Sequence, residues 1–226
     1  MSQEGACSEF LLRLCHDLRS CLRAIQPHTE MLAKDGQTVS AEDFQKRLGY
    51  VLDGGRRLDS LLSGLAGYAI ALQLDSADFR SISLDTALRN ALMVVEKQHQ
   101  GIRDKVSSDA LPRVTGDPDR LQQVFEILIR GALDRAAGKE TRLRIGAAEQ
   151  EGAWAISVHD ESGAVAPAVL EKMFRPMERW DGRNPLDSGF GLATCRLIVE
   201  RHGGRMWAEP EGSGSAFRFT IPAIRN

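Results

Sequence analysis

Two apolar stripes in the first 75 residues constrain the fold more than any other feature of the chain. Each stripe repeats at alternating steps of three and four residues, which places its members on one side of an α-helix. The first stripe consists of Leu11, Leu14, Leu18, Cys21, Ile25, His28 and Leu32, and the second of Phe44, Leu48, Val51, Gly55, Leu58, Leu62, Leu65, Ala69 and Leu72. The pattern predicts two long helices joined by a short polar loop that begins at Asp35-Gly36.

A single helical hairpin offers too little partner surface to bury both stripes. Two hairpins from two copies of the chain would bury them as a four-helix bundle, so a homodimer is expected. The alternative is a monomeric hairpin that packs on the second half of the chain.

The first stripe also decides which histidines are candidates for chemistry. His28 lies in the stripe, so we interpret it as a core residue, whereas His16 falls on the opposite side of the same helix and should face solvent. Asp17 follows His16 directly, and a carboxylate can hold an imidazole in one tautomer and leave its other nitrogen nucleophilic. Most exposed histidines have no chemical role, so this pair alone leaves both interpretations open.

The pattern changes near Phe79, where strand-like segments appear among further helices. DPDRLQQVFEILIRGALDRAA predicts a helix with Asp117 as N-cap and Pro118 in its first turn. TRLRIGAAEQ and EGAWAISVHD alternate and predict an antiparallel pair of strands. This order predicts an α+β chain, with a helical hairpin in residues 1–75 and a two-layer α/β sandwich in residues 76–226.

Composition excludes several classes of protein. The net charge is −2 over 226 residues, so there is no broad electrostatic basis for binding nucleic acid or an anionic membrane. No apolar run approaches the length of a bilayer span, so direct membrane insertion is not expected. The 4 cysteines fit neither a disulfide framework nor a zinc site, which favours a cytoplasmic protein.

Four segments, in this order, resemble the sequence boxes of sensor histidine kinases. They are the phospho-acceptor box FLLRLCHDLRSCLRAI, the N box GDPDRLQQVFEILIRGAL, the G1 and F boxes VHDESGAVAPAVLEKMFRP, and the G2 box with its closing strands, SGFGLATCRLIVERHGGRMWAEPEGSGSAFRFTIP. The resemblance implies a dimerisation and phosphotransfer hairpin in residues 1–75, followed by an ATP-binding domain of the GHKL type in residues 76–226.

The resemblance also implies a reaction. In this family, the γ-phosphoryl group of ATP passes to a histidine and then to an aspartate of a response-regulator receiver domain. His16 would be the acceptor and Asp17 its general base. Ser20, one helical turn later, would orient water for dephosphorylation.

For ATP, the resemblance implies a set of binding residues in the second domain. Asp160 would accept a hydrogen bond from the exocyclic amine of adenine. Residues 177–188 would form a lid over the nucleotide. The remaining implied binding residues are Gly163, Phe174, Gly189, Gly191 and Leu192.

Five positions in three of these boxes depart from the family pattern. The N box normally carries two asparagines, of which the second binds Mg²⁺, and this chain has Ile127 and Gly131 there. Neither side chain can bind a hard cation. Ser162 and Ala164 replace glycines of the G1 box, and Cys21 replaces the proline of the acceptor box. We therefore expect weak ATP binding with little dependence on Mg²⁺.

Three functions remain open at this point. The chain is a working histidine kinase, a dimeric histidine phosphotransferase that relays phosphate between response regulators without ATP, or a non-catalytic module that controls another kinase. The residues of the ATP domain favour the first, and the missing asparagine favours the second.

Overall fold

The computed structural model describes residues 3–35, 39–136, 138, 140–170, 172–179, 184 and 187–224. The chain divides into two compact units, Met1–Ala66 with Pro176–Phe190, and Gly67–Arg175 with Gly191–Asn226. The first is helical and the second combines helices with a mixed sheet, so the predicted α+β class is confirmed. The predicted domain limits, residues 1–75 and 76–226, stay a prediction.

The helical hairpin consists of α1 (Gln3–Asp35) and α2 (Ala41–Leu72). Ser40 caps the start of α2, because its hydroxyl oxygen accepts a hydrogen bond from the backbone N–H of Asp43 at 3.1 Å. Asp35 and Arg47 form an ion pair that joins the two helices near their connection. The predicted end of the first helix at Asp35-Gly36 falls partly on Gly36, which lies outside the described residues.

The side of α2 that packs on α1 differs from the predicted second stripe. Gly54 lies so close to α1 that an added Cβ would stand 2.8 Å from a side-chain carbon of Ile25. Leu61 is buried and Tyr50 stacks on His28 with ring centroids 4.5 Å apart. The packed stripe therefore lies one residue before the predicted one, and the predicted member Leu62 is 49% exposed.

The second unit is built on a five-stranded sheet in the order β2-β4-β5-β7-β6. Its strands are β2 (Val106–Ser108), β4 (Leu143–Gln150), β5 (Ala153–Asp160), β6 (Met206–Glu211) and β7 (Gly214–Pro222). Only the pairing of β2 with β4 is parallel. The antiparallel pair predicted from the sequence is β4 and β5. A small second sheet pairs β1 (Arg80–Ser83) with β3 (Arg113–Gly116).

Helices cover the sheet and form the second layer. They are α3 (Leu84–Glu96), α4 (Pro118–Ala136), the short α5 (Pro167–Leu170) and α6 (Gly191–Arg201). Within the described ranges, single-turn 3₁₀ helices span Ser76–Asp78, Ile102–Lys105 and Lys172–Phe174. Among the described residues, no helix has both the length and the hydropathy that a bilayer span requires.

Helix α4 is the central element of this layer. The Asp117 carboxylate accepts hydrogen bonds from the backbone N–H groups of Asp119 and Arg120, both at 2.9 Å, which confirms the predicted N-cap. The apolar face predicted for α4 is buried, and it consists of Leu121, Val124, Leu128 and Ala132. The Phe125 ring meets Phe219 of β7 edge-on at 6.0 Å, so α4 packs directly on the sheet.

Candidate functional site

His16 lies on the outer face of α1, where the heptad pattern predicts it. Its side chain is 72% exposed. Its Nδ1 atom lies 3.2 Å from an oxygen of Asp17, whose side chain is 27% exposed. With Nδ1–H donating to Asp17, the Nε2 nitrogen carries the lone pair, so this pair can act as an oriented nucleophile.

Two arginines that no sequence pattern singled out lie close to this pair. Arg179 places a guanidinium nitrogen 3.4 Å from the second oxygen of Asp17. Arg13 forms an ion pair of 2.9 Å with Glu178 and donates to the backbone oxygen of Met177 at 3.4 Å. The hydrogen bond that Arg13 donates to Glu178 is the main cause of the raised pKa of Arg13. Residues 177–179 therefore lie against α1 beside His16, and Arg179 places one positive charge there, which suits a phosphoryl group.

Ser20 lies one turn after His16 on the same helix and is half-buried. Arg19 and Arg23 follow His16 on the same helix and are exposed, so they could balance the charge of a phosphate there. The role predicted for Ser20 stays a prediction.

In the second unit, Asp160 stands at the end of β5 with no exposed surface. One carboxylate oxygen binds a guanidinium nitrogen of Arg135 at 2.5 Å. The other accepts hydrogen bonds from the backbone N–H of Ser162, at 3.1 Å, and from the Ser162 hydroxyl. The carboxylate that the family resemblance assigns to adenine is therefore occupied by groups of the protein itself.

The N-box positions on α4 do not offer metal ligands. A Cβ added at Gly131 would lie 3.2 Å from a guanidinium nitrogen of Arg135, so the space beside this glycine is used by that side chain. Ile127 faces Gly191, with a methyl carbon 3.1 Å from the point where a Cβ on that glycine would stand. In the part of the chain that the structure describes, no cluster of three His, Cys, Asp or Glu side chains could hold a metal ion. These residues do not fit Mg²⁺–ATP as they stand.

Gly163 and Phe174 belong to the same unit as Asp160. The backbone oxygen of Gly163 accepts a hydrogen bond from the Ser215 hydroxyl at 3.2 Å, which ties the loop after β5 to β7. Phe174 is 6% exposed, and the guanidinium of Arg196 on α6 lies 5.9 Å from its ring centroid. Both positions are thus fixed within the domain.

The predicted phosphate-binding glycines fall on either side of the division between units. Gly191 and Leu192 begin α6, whereas Gly189 groups with the hairpin unit. Gly189 has a φ of +73°, and a Cβ there would stand 2.7 Å from the backbone of Met177, so only glycine fits. Of the predicted lid, residues 180–183, 185 and 186 lie outside the described residues, and these include Gly182 and Pro185.

A cavity of about 410 Å³ opens elsewhere in the second unit. His99, Gln100, Ile102, Lys105, Leu133, Asp134, Ala136 and Gly138 line it. None of the predicted nucleotide-binding residues is among them, so this cavity does not mark the predicted site.

Comparison with known proteins gives a family match that lies mostly in the second unit. Residues 116–225 match the family described as Histidine kinase-, DNA gyrase B-, and HSP90-like ATPase. The solved catalytic domain of histidine kinase ThkA is 26% identical, with a TM-score of 0.54 over 64% of this chain and 95% of that one. The fold and the sequence thus define an ATPase-type domain.

Matches to longer proteins extend across the hairpin as well. Phytochrome-like protein Cph1 of Synechocystis sp. is 30% identical over 213 residues, which cover 92% of this chain and 28% of that protein. Sensor protein SrrB of Staphylococcus aureus is 26% identical over 95% of this chain and 38% of its own length. Histidine kinase ThkA in complex with response regulator protein TrrA shares the fold over 96% of this chain and 61% of that one, with 21% identity and a TM-score of 0.68. The chain belongs to the sensor histidine kinase family. It spans between a quarter and two fifths of the length of the curated relatives Cph1 and SrrB.

Proposed function

We propose that this chain is the phosphotransfer and ATPase-type part of a two-component sensor histidine kinase, in which His16 receives a phosphoryl group and passes it to an aspartate of a response-regulator receiver domain. The observation that carries the proposal is the exposed His16 ring, with its Nδ1 atom held 3.2 Å from Asp17. A group that must meet first a donor and then a protein partner has to be exposed on a rigid element.

The chemistry at His16 needs two transfers. The lone pair on Nε2 forms a bond to phosphorus while the bond to the donor's leaving oxygen breaks, and that oxygen keeps the electron pair. Asp17 takes the Nδ1 proton, so the phosphorylated ring stays neutral. In the second transfer, a carboxylate oxygen of the receiver attacks phosphorus, the P–N bond breaks, and the proton returns from Asp17 to the ring.

The match to an ATPase family supports ATP as the donor. Residues 116–225 match an ATPase family, and Asp160, Gly163, Phe174, Gly189, Gly191 and Leu192 are the residues we assign to the nucleotide. Binding should be weak and nearly independent of Mg²⁺, because Gly131 stands where the asparagine that binds Mg²⁺ is expected.

A second candidate is a histidine phosphotransferase that takes its phosphoryl group from one receiver and gives it to another. The ion pair between Arg135 and Asp160 favours this function, because it uses the carboxylate that adenine would need. In both candidates His16 carries the phosphoryl group and a receiver domain is the partner. The complex of the similar kinase ThkA with a response regulator supports such a partner.

The donor can be identified by labelling the wild-type protein in two separate reactions. One reaction contains radiolabelled ATP with Mg²⁺, and the other a receiver domain labelled on its aspartate. We expect acid-labile label on His16 from the receiver within minutes, and slow or little label from ATP. Faster labelling from ATP would favour the kinase over the phosphotransferase. Absence of acid-labile label in both reactions, with several receivers, would refute the proposal.

A further inference from the structure

The buried end of β5 carries an ion pair whose partners come from two different elements of the second unit. Asp160 has no exposed surface and the Arg135 side chain is 6% exposed. Three donors converge on the carboxylate, namely the Arg135 guanidinium and the backbone N–H and hydroxyl of Ser162. Both carboxylate oxygens are therefore used, and the strongest of these bonds is the one from Arg135, in which both partners are charged.

The local structure is shaped to accept the Arg135 side chain. Gly131 lies one helical turn earlier on α4, and a Cβ there would stand 3.2 Å from a guanidinium nitrogen. On another side, the guanidinium carbon lies 4.6 Å from the ring centroid of Phe217 on β7. Gly131 leaves room for the guanidinium, and the Phe217 ring stacks on it. Together they hold Arg135 against Asp160.

We propose that Arg135 competes with adenine nucleotides for the Asp160 carboxylate. Nucleotides then bind at Asp160 only in molecules in which the ion pair between Arg135 and Asp160 has opened. This inference rests on the proposed nucleotide site. Adenine offers Asp160 a neutral amine, and a neutral donor does not displace a buried guanidinium from a carboxylate. The apparent dissociation constant is then the intrinsic one divided by the fraction of open molecules. Arg135 thereby sets nucleotide affinity in this chain, and the small residue at position 131 is part of the same device.

Calorimetric titration with ATP tests this inference directly. The variant Arg135→Met keeps the length of the side chain and removes its charge, and we expect it to bind ATP at least about tenfold more tightly than the wild type. Arg135→Gln retains a neutral donor to Asp160 and should give a smaller gain. It also serves as the second variant if Arg135→Met does not fold, which a thermal melt of each variant reveals.

Three controls test whether the gain depends on the ion pair and on adenine rather than on a general loss of positive charge. Arg130 lies on the same helix and donates to Gln98, so Arg130→Met should leave ATP affinity unchanged. The double variant Arg135→Met with Asp160→Asn should lose the gain, because the carboxylate that receives the adenine amine is gone. Titration of Arg135→Met with GTP should show no gain, because guanine carries no amine at the corresponding ring position.

Three results would overturn the inference. They are a folded Arg135→Met that binds ATP no better than the wild type, an equal gain in Arg130→Met, and a gain that survives Asp160→Asn. None of them bears on whether His16 carries a phosphoryl group, since transfer from a labelled receiver needs no nucleotide. ATP titration therefore tests the competition by Arg135, and label transfer from a receiver tests the proposed function, so the failure of one is distinguished from the failure of the other.

Discussion

At the residue scale, Gly54 shows how one missing side chain lets the two helices of the hairpin approach. A Cβ on Gly54 would meet a carbon of Ile25 at 2.8 Å and the backbone oxygen of Cys21 at 3.3 Å. Gly49 is also in α2 but has no atom within 4 Å of its Cβ position. Gly54→Ala should lower the free energy of unfolding by about 1–2 kcal/mol, because the steric cost exceeds the gain in helix propensity.

The matched variant Gly49→Ala should instead raise the free energy of unfolding, by up to about 1 kcal/mol, because it gains helix propensity without a clash. Urea denaturation of the two variants measures both values. Equal stabilisation by the two substitutions would contradict the packing described for Gly54.

Single residues also show which parts of the candidate site could be predicted from the sequence. The exposed position of His16 follows from the helical period, and Asp17 is its neighbour in the chain. Arg179 and Arg135 could not be assigned, because their carboxylate partners lie 162 and 25 residues away in sequence. No local pattern connects such partners, and only the folded chain brings them together.

At the element scale, His202 links the end of α6 to the start of α4. It is 6% exposed, its Nδ1 lies 2.7 Å from the Ile198 backbone oxygen, and its Nε2 accepts a hydrogen bond from the Asp117 N–H at 3.0 Å. Burial lowers the pKa of His202, although the Ile198 carbonyl and the Asp117 carboxylate oppose this shift. The native structure thus prefers the neutral ring.

The pH dependence of stability follows from this shift. Because the pKa of His202 is lower in the folded than in the unfolded chain, its contribution is complete above the unfolded pKa of about 6.5 and is lost as pH falls below it. Protonation also turns Nε2 into a donor that faces the Asp117 N–H, at a cost of about 1 kcal/mol for the lost hydrogen bond.

Thermal melts between pH 7.5 and 5 check this prediction, with the melting temperature expected to fall toward pH 5. In His202→Gln the fall should be smaller, whereas in the control His99→Gln, an exposed histidine, it should match the wild type. An unchanged pH profile in His202→Gln would show that other groups control acid stability.

Elements were predicted well where their pattern is long and poorly where two patterns compete. The face of α4 and the β4–β5 pair follow from period and alternation. In α2, the side that packs on α1 is built on Tyr50, Gly54 and Leu61, whereas the regular apolar stripe lies one residue later, so periodicity alone does not identify the packed side. Strands β2 and β3 have only 3 and 4 residues and carry no readable alternation.

At the scale of the whole molecule, the hairpin leaves a large apolar surface outside its own packing. Exposed apolar side chains on α1 and α2 include Leu11, Leu12, Leu22, Met31, Phe44, Leu52 and Leu62. This surface supports the proposed homodimer, in which a second hairpin covers it. We expect this second hairpin to pack on the predicted second stripe of α2, which is not the side of α2 that contacts α1.

Charge on that stripe should therefore break the dimer without unfolding the chain. Leu62 is 49% exposed, so a glutamate costs little in a single chain, but burial of its charge in a bundle costs several kcal/mol. We expect Leu58→Glu with Leu62→Glu to give monomers by light scattering at micromolar concentration. Met93 on α3 is 43% exposed, so Met93→Glu is the control that should stay dimeric. A monomeric wild type would refute the dimer.

The central claim for the whole molecule is that His16 carries the phosphoryl group, and one measurement tests it most directly. Wild type, His16→Ala and the control His99→Ala are each mixed with a receiver domain labelled on its aspartate, and acid-labile label on the chain is counted over time. We expect label on the wild type and on His99→Ala, and at least about a hundredfold less on a folded His16→Ala, because the nucleophile is absent. Equal label on His16→Ala and the wild type would contradict it.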